Sequence, residues 1–460
     1  MASRLKVIVL DDDPTGSQTV HGCPLLLRWD AATLRRGLAD PAPLLFVLAN
    51  TRALAPGPAR ARVLAICRAL RPLLAEAEAA GRLDRWLIVS RGDSTLRGHF
   101  PLEIEAIGQE LGPFDATLLV PAFLPGGRTT VAGVHRLHGE PVHTTAFARD
   151  SLFGYGTSHL PAWVEEKTQG RIPAAAVQHL TLADLESGPD HLLRRLAGLP
   201  AGALAVVDAD HPRQLAALGA AVHRLGEPSA SGRWGRPRRF LFQSAASLLN
   251  GLVPLPPQPL EAPGLAALRR RDPSGVPLPG LVLVGSHVPL ADTQLERLLE
   301  APGTAGLELP VAGLARVMEG PVPGPLLAAL ERQWLGHLRE LLARGVTPVL
   351  FTSRGELAGD GASGRRRLGA ALAGLMARLA GRLAPGLGYV ISKGGITSHT
   401  LLADGLGLEA VALQGQLLPG LSLVLTPADA PVPQLPVVTF PGNLGDSRTL
   451  RLAWQAMEGG

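Results

Sequence analysis

The chain has 460 residues, too many for one ordinary hydrophobic core, so two or three domains are expected. Hydrophobic residues make up 46% and charged residues 18%, which excludes a disordered chain. A net charge of +5 over this length, with no long Lys/Arg stripe, argues against a nucleic-acid partner. Cys23 and Cys67 are the only cysteines, so neither a disulfide framework nor a zinc cluster can be built from them. No 18-residue apolar stretch spans a membrane, and the first apolar run is too short for a signal segment; a soluble cytoplasmic protein is expected.

Val7 to Leu10 reads as the first strand of an α/β domain, and Asp11-Asp12-Asp13-Pro14-Thr15-Gly16-Ser17 follows it. Carboxylates at a strand end, with Thr, Gly and Ser before a helix start, suit a site that orients a hydroxyl or holds Mg²⁺ through oxygens. A helix cap would explain one acid, not three in a row, because crowded like charges cost stability unless a cation or ligand offsets them. Leu44 to Asn50 reads as the second strand, ending at Thr51-Arg52, and Arg60 to Ala80 has helical periodicity.

Trp86 to Val89 reads as a buried strand feeding Ser90-Arg91-Gly92-Asp93-Ser94-Thr95-Leu96-Arg97-Gly98-His99. Arg forks grip carboxylates or phosphates in pairs, and Asp93 with the hydroxyls can bond sugar-type hydroxyls. Glycines let a ligand approach the backbone. Phe114 to Val120 is a further strand, and its loop carries Gly126-Gly127-Arg128. Four successive strands thus end in polar loops, the pattern of one ligand cleft at one sheet edge. His135, His138 and His143 lack a metal-ligand spacing, so interface or capping roles are expected of them. Trp163 to Thr168 reads as a helix end, and Leu204 to Asp208 and Phe240 to Phe242 as strands; Asp208 and Asp210 either bound the cleft or serve as turn residues.

A composition shift follows. Residues 228–239 are rich in Ser, Gly and Arg, and 254–280 are rich in Pro. Pro-rich linkers are semi-rigid spacers. The expected organisation is a domain over 1–253, a linker over 254–280 and a second domain over 281–460.

The second half restarts the α/β pattern. Leu281 to Val284 reads as a strand ending in Gly285-Ser286-His287, with a helix from about Ala291 to Glu300. Pro348 to Phe351 ends in Thr352-Ser353-Arg354, and Gly388 to Ser392 in Lys393-Gly394-Gly395-Ile396-Thr397-Ser398. Two glycines between a strand and a helix start put free N–H groups where a phosphate can sit. A tight turn with Thr397 as helix cap explains the same residues, so the spacing leaves both readings open. Neither a Walker A loop nor a dinucleotide fingerprint occurs. Glycine turns at Gln414 to Gly420 and at Pro441 to Asp446, with Asn443, could wall a nucleotide pocket.

Taken together, Asp12-Asp13-Pro14-Thr15-Gly16, Asp93 to Gly98, Pro121-Ala122-Phe123 with Arg128, Gly285-Ser286, Thr352 to Arg354, Lys393 to Ser398 and Gly442 to Gly445 resemble the four-carbon acid sugar kinases. The resemblance runs in order along nearly the whole chain. It implies an α/β fold of two domains, each a largely parallel sheet flanked by helices, with the active site in the cleft between them. It implies ATP-dependent phosphorylation of the terminal hydroxyl of threonate, erythronate or an oxo-tetronate. Asp12 and Asp13 would be catalytic, and Arg91, Asp93, Ser94, Arg97 and Arg128 would bind the acid sugar. Gly285, Ser286, Lys393, Gly394, Gly395, Thr397 and Asn443 would bind the nucleotide, with Mg²⁺ bridging its phosphates. The implied partners are the sugar acid and ATP, with no nucleic acid and no membrane, and a homodimer is compatible. The family commonly carries Lys where Arg91 stands and an acid where Ile396 stands, and the run from His138 to Thr168 looks like that of a distinct subgroup.

The alternative is a non-catalytic sugar-acid or nucleotide-binding protein of the same fold. A dehydrogenase would need the missing dinucleotide fingerprint, and a serine hydrolase a G-x-S-x-G elbow, also missing.

Overall fold

The computed structural model describes residues 4–17, 19–227, 234–319, 323–354 and 361–459. The Ser/Gly/Arg-rich stretch at 228–239 therefore lies partly outside the described residues. The chain divides into two compact units, Met1–Pro257 and Gln258–Gly460.

In the first unit eight strands form one sheet. In chain order they are β1 (Leu5–Asp11), β2 (Cys23–Leu26), β3 (Leu44–Leu48), β4 (Arg85–Arg91), β5 (Ala116–Val120), then, after a small separate sheet of β6 (Arg128–Val131), β7 (Val134–Leu137) and β8 (Glu140–Pro141), β9 (Gln178–Leu180), β10 (Ala203–Val207) and β11 (Phe240–Ser244). The large sheet runs β2-β3-β1-β4-β11-β5-β10-β9, and every pairing in it is parallel. Parallel strands covered on both faces read as unbroken apolar runs. Val7, Ile8 and Val9 in β1 and all of Leu44 to Leu48 are fully buried accordingly. From β1 the chain first builds β2 and β3 on one side, then crosses to β4 on the other. The order therefore reverses between β1 and β4, which is where open sheets bind ligands.

The second unit repeats this plan. Its strands are β12 (Gly280–Val284), β13 (Thr304–Leu309), β14 (Thr347–Thr352), β15 (Tyr389–Lys393), β16 (Ala410–Leu418), β17 (Leu421–Leu425) and β18 (Pro436–Phe440). They lie in the order β13-β14-β12-β15-β18-β17-β16. The pairings are parallel from β13 to β18, and β17 is antiparallel to both its neighbours. The reversal falls between β12 and β15.

Several elements run further than apolar periodicity suggests. The helix expected from Arg60 spans Pro56–Ala79, starting earlier because Pro56 and Pro58 are well placed in a first turn that needs no N–H partners. Strand β4 extends through Ser90 and Arg91, and β15 through Lys393, so these polar residues are strand ends rather than loop residues. Within 254–280, residues from 258 on belong to the second unit. The helix Ala262–Ala266 sets Leu265 fully buried among Val282, Tyr389 and Phe440.

Candidate functional site

At the first reversal point β1 ends in Asp11 and β4 in Arg91, and these two residues are register partners. The Asp12 N–H donates to the Arg91 carbonyl at 3.1 Å, which ties the acidic loop to the neighbouring strand end. Asp11 is 1% exposed, with its Oδ1 3.6 Å from Arg91 Nη1 and its Oδ2 without a partner among the described residues. Burial pushes its carboxyl up to about 7 against the pull of Arg91. Gly16 closes over it: a Cβ there would lie 2.0 Å from Asp11 Oδ1, so no other residue fits that turn.

Arg52, in the short turn Thr51–Ala53 after β3, holds the acids together. Its Nε donates to Asp12 Oδ2 at 2.9 Å and its Nη2 to Asp12 Oδ1 at 2.6 Å. Its Nη1 lies 3.6 Å from Asp13 Oδ2 and 3.9 Å from Asp93 Oδ1. One guanidinium thus faces three carboxylates from two loops. The three adjacent acids are offset by side-chain cations, Asp12 and Asp13 by Arg52 and Asp11 by Arg91.

Burial raises the Asp12 carboxyl above its ordinary value, and the Arg52 fork opposes it. Burial acts on Asp13 in the same sense, but Arg52 and the Thr15 hydroxyl and amide outweigh it and hold Asp13 below the ordinary value. Asp13 is also more open than Asp12, with its side chain 22% exposed against 3%.

The loop after β4 turns tightly, with Leu96 at φ 65° and Gly98 at φ 137°. Arg97 Nε donates to Asp93 Oδ2 at 2.7 Å, and Thr95 Oγ1 donates to the same oxygen. Burial would raise Asp93, but Arg97 and Arg52 hold it well below the carboxylate range. Arg97 also stacks over Phe147 at 5.0 Å. Ser94 is buried, and its carbonyl lies 2.8 Å from His135 Nε2. His135 is fully buried and pushed down to about 4 by burial, so as a neutral ring it donates to that carbonyl and fastens the β6–β7 hairpin to the loop. His143 Nδ1 meets Ser158 Oγ at 2.7 Å. Asp208 pins the same hairpin by accepting from the Ala132 and Gly133 amides, each at 2.9 Å, and Asp210 accepts from Gln214; both are turn-binding residues.

Arg128 opens β6. It stacks over Phe123 at 5.6 Å and donates from Nη1 to the Gly126 carbonyl, while its buried Nε has no partner and it forms no ion pair among the described residues. Burial lowers its affinity for its proton and Asp93 opposes this. Unlike Arg52 and Arg97, Arg128 is thus a guanidinium not spent on a protein carboxylate.

Arg52 and Glu103 were not singled out as site residues in the sequence. Glu103 lies in the helix Leu102–Leu111 on the face that buries Ala106, Ile107 and Glu110. It accepts from the Ser90 hydroxyl at 3.1 Å and from the Thr51 hydroxyl, and burial together with the Asp12 charge pushes it up to about 7. An acid on the apolar face of an amphipathic helix was the available signal.

The second reversal point carries backbone and hydroxyls instead of charges. Gly285, after β12, sits so close to Thr397 that a Cβ would lie 2.1 Å from its Oγ1. Cβ atoms on Gly394 and Gly442 would lie 3.3 Å from Ser286 N and 2.6 Å from Ser286 Oγ. Three glycine-bearing segments therefore converge around Ser286, as a nucleotide pocket would need. Gly394 caps the helix Gly395–Thr400 at φ 118°. Asn443 is exposed in the loop after β18. Lys393 is fully buried beneath that loop, donating to the Pro441 carbonyl at 3.2 Å and the Gly442 carbonyl at 3.1 Å, with Phe440 beside it at 3.9 Å. Burial, and then Arg354, lowers its ammonium to about 7. Arg354 donates to the Ser286 carbonyl at 2.6 Å and to Asp292.

Residues 7–252 match a family described as a sugar-binding N-terminal domain, and residues 281–450 one described as a nucleotide-binding C-terminal domain. A D-threonate kinase of Bordetella bronchiseptica is 31% identical over 421 residues, covering 87% of this chain and 88% of that protein. A D-threonate kinase of Cupriavidus necator is 29% identical over 413 residues, covering 84% and 85%. A D-erythronate kinase of Heliobacterium modesticaldum is 31% identical over 150 residues, about a third of each chain. A Salmonella typhimurium LT2 protein shares the fold, with TM-score 0.66, 18% identity and 98% of both chains covered. The chain is a two-domain α/β protein with one sugar-binding and one nucleotide-binding domain. It belongs to the four-carbon acid sugar kinase family. No helix among the described residues is long and apolar enough to cross a membrane.

Proposed function

We propose that this protein transfers the γ-phosphoryl group of ATP to the terminal hydroxyl of a four-carbon acid sugar of the threonate or erythronate class. The observation that carries the reading is the division of labour among the arginines of the first unit. Arg52 and Arg97 are committed to Asp12 and Asp93, whereas Arg128 has no carboxylate of its own. A ligand carboxylate beside it would complete the pairing.

In this reading Asp12 is an anchor, locked by Arg52. Asp13, ionised and partly open, orients the attacking hydroxyl and accepts its proton as the bond to phosphorus forms. Ser94 and Arg91 support the acid loop from its buried side. The nucleotide phosphates lie against Gly285, Ser286, Gly394, Gly395 and Thr397, with Asn443 at the rim. Lys393 acts from below, by holding the Pro441–Gly442 backbone in place. Mg²⁺ enters as part of the MgATP substrate, bridging its phosphates. The homodimer and the cytoplasmic setting belong to the same proposal and rest on the family resemblance.

The test is ADP release with MgATP against D- and L-threonate, D- and L-erythronate and the oxo-tetronates. Turnover with one of them is expected, and Asp13→Asn should lower kcat by about 10²- to 10⁴-fold with the fold intact. Acid binding without any turnover would favour a binding protein. Wild-type rates in Asp13→Asn would remove Asp13 from the chemistry.

A further inference from the structure

Under the loop from Gly92 to His99 lies a pocket with about 20 Å³ open to a water-sized group. That is room for one hydroxyl and little more. Its polar wall is Asp12, Asp93, Arg97, His99, Glu103, Trp163, Gln243 and Ser244, and Arg128 is not part of it. Ser244 ends β11 beside Arg91, its register partner. Trp163 comes from the helix Leu160–Lys167 and packs on Phe100 with ring centroids 4.6 Å apart. Both residues are 2% exposed, and neither Trp163 Nε1 nor Ser244 Oγ has a hydrogen-bond partner among the described residues. Buried donors are nearly always matched, so two unmatched ones in the wall of one small pocket point to an acceptor that enters it.

The remaining polar wall decides what that acceptor is. Asp12 and Glu103 each accept hydrogen bonds at both oxygens, from Arg52 and from Thr51 and Ser90, yet each oxygen keeps a second lone pair. Asp12, Asp93 and Glu103 outnumber the one guanidinium of the wall, Arg97, which is already paired with Asp93, so a carboxylate is disfavoured there, and a bare carbonyl oxygen has no proton to offer the acids. A hydroxyl suits all the groups at once: its oxygen accepts from Trp163 and Ser244, and its proton goes to a carboxylate oxygen.

We propose that this pocket is a hydroxyl-recognition subsite, and that Trp163 and Ser244 select acids bearing a hydroxyl rather than an oxo group at one internal carbon, C2 or C3. The proposal rests on the kinase reading above, in which Arg128 takes the acid end.

Calorimetric titration tests it. Wild type, Trp163→Phe and Ser244→Ala are each titrated with threonate, erythronate and their 2-deoxy and 3-deoxy analogues, alongside turnover with MgATP. In wild type, removing the recognised hydroxyl should weaken binding about 10- to 100-fold. In either variant the same removal should cost less than about threefold, and KM for the full substrate should rise with kcat little changed. An equal penalty in wild type and variants, or no penalty anywhere, overturns the subsite. Should Trp163→Phe fail to fold, Ser244→Ala carries the comparison. Turnover that persists without the coupling removes the subsite alone. Neither binding nor turnover with any tetronate removes the kinase reading and the subsite with it.

Discussion

The two reversal points share one strand order and almost nothing else. Between β1 and β4, Asp11, Asp12, Asp13 and Asp93 meet Arg52, Arg91 and Arg97, with Glu103 held beside them by the Thr51 and Ser90 hydroxyls. Between β12 and β15 the walls are Gly285, Gly394 and Gly442 with the hydroxyls of Ser286 and Thr397, and the one lysine lies buried below. In the proposed reaction the difference follows from what each ligand brings. A small acid sugar offers neutral hydroxyls and one charge, so discrimination needs side chains of both signs, each held by another. A polyphosphate brings its own charge and many acceptors, and needs backbone that it can approach closely.

The strongest way to break this contrast is to remove Arg52. Arg52→Met leaves three carboxylates facing one another, and should cost about 3–5 kcal/mol of stability in the first unit together with most of the turnover. Denaturant unfolding followed in parallel with nucleotide binding checks it. A loss of nucleotide affinity as large as the loss of acid affinity would show that the two sites are not separately built.

Gly285→Ala is the converse and somewhat milder test. The new methyl would press on the buried Thr397 hydroxyl, so nucleotide affinity should fall by about tenfold or more while acid binding stays as in wild type. Unchanged nucleotide affinity would remove the glycine wall from the phosphate site.

The smallest effect lies in the pH dependence of stability, where the two regions should tilt in opposite senses. Asp11 and Glu103 titrate near 7 in the folded chain and near 4 when unfolded, so the folded state holds more protons in that interval and their contribution fades as pH rises through it. Lys393 titrates near 7 folded and near 10 unfolded, so the unfolded state holds more protons there and stability rises with pH above 7. Unfolding free energies from pH 4 to 10 should show the lower slope reduced by Asp11→Asn and the upper slope reduced by Lys393→Met. Slopes unmoved by these substitutions would sink the assignment.

Much of this was legible in the chain, for a definite reason. Strand ends in a parallel sheet are marked by an apolar run that stops at polar residues, and Asp11 to Asp13, Arg91 to Arg97 and Gly394 to Thr397 all carry that mark. Arg52 carried it too, but nothing local shows that a guanidinium will reach acids 40 or so positions away. Glu103 and Trp163 were hidden differently, because helical periodicity places them on buried faces without saying that those faces meet a pocket. Lys393 reads from the sequence as a loop cation; the sequence does not show that, as the last residue of β15, it is buried with its ammonium on the Pro441 and Gly442 carbonyls.

The guanidinium at the centre of the acidic loops has one more consequence. A bound metal ion exchanges with the surrounding solution and is lost to chelators, whereas Arg52 is part of the chain. The pairing of Asp12, Asp13 and Asp93 with one guanidinium is therefore encoded in the sequence itself and forms as the first unit folds.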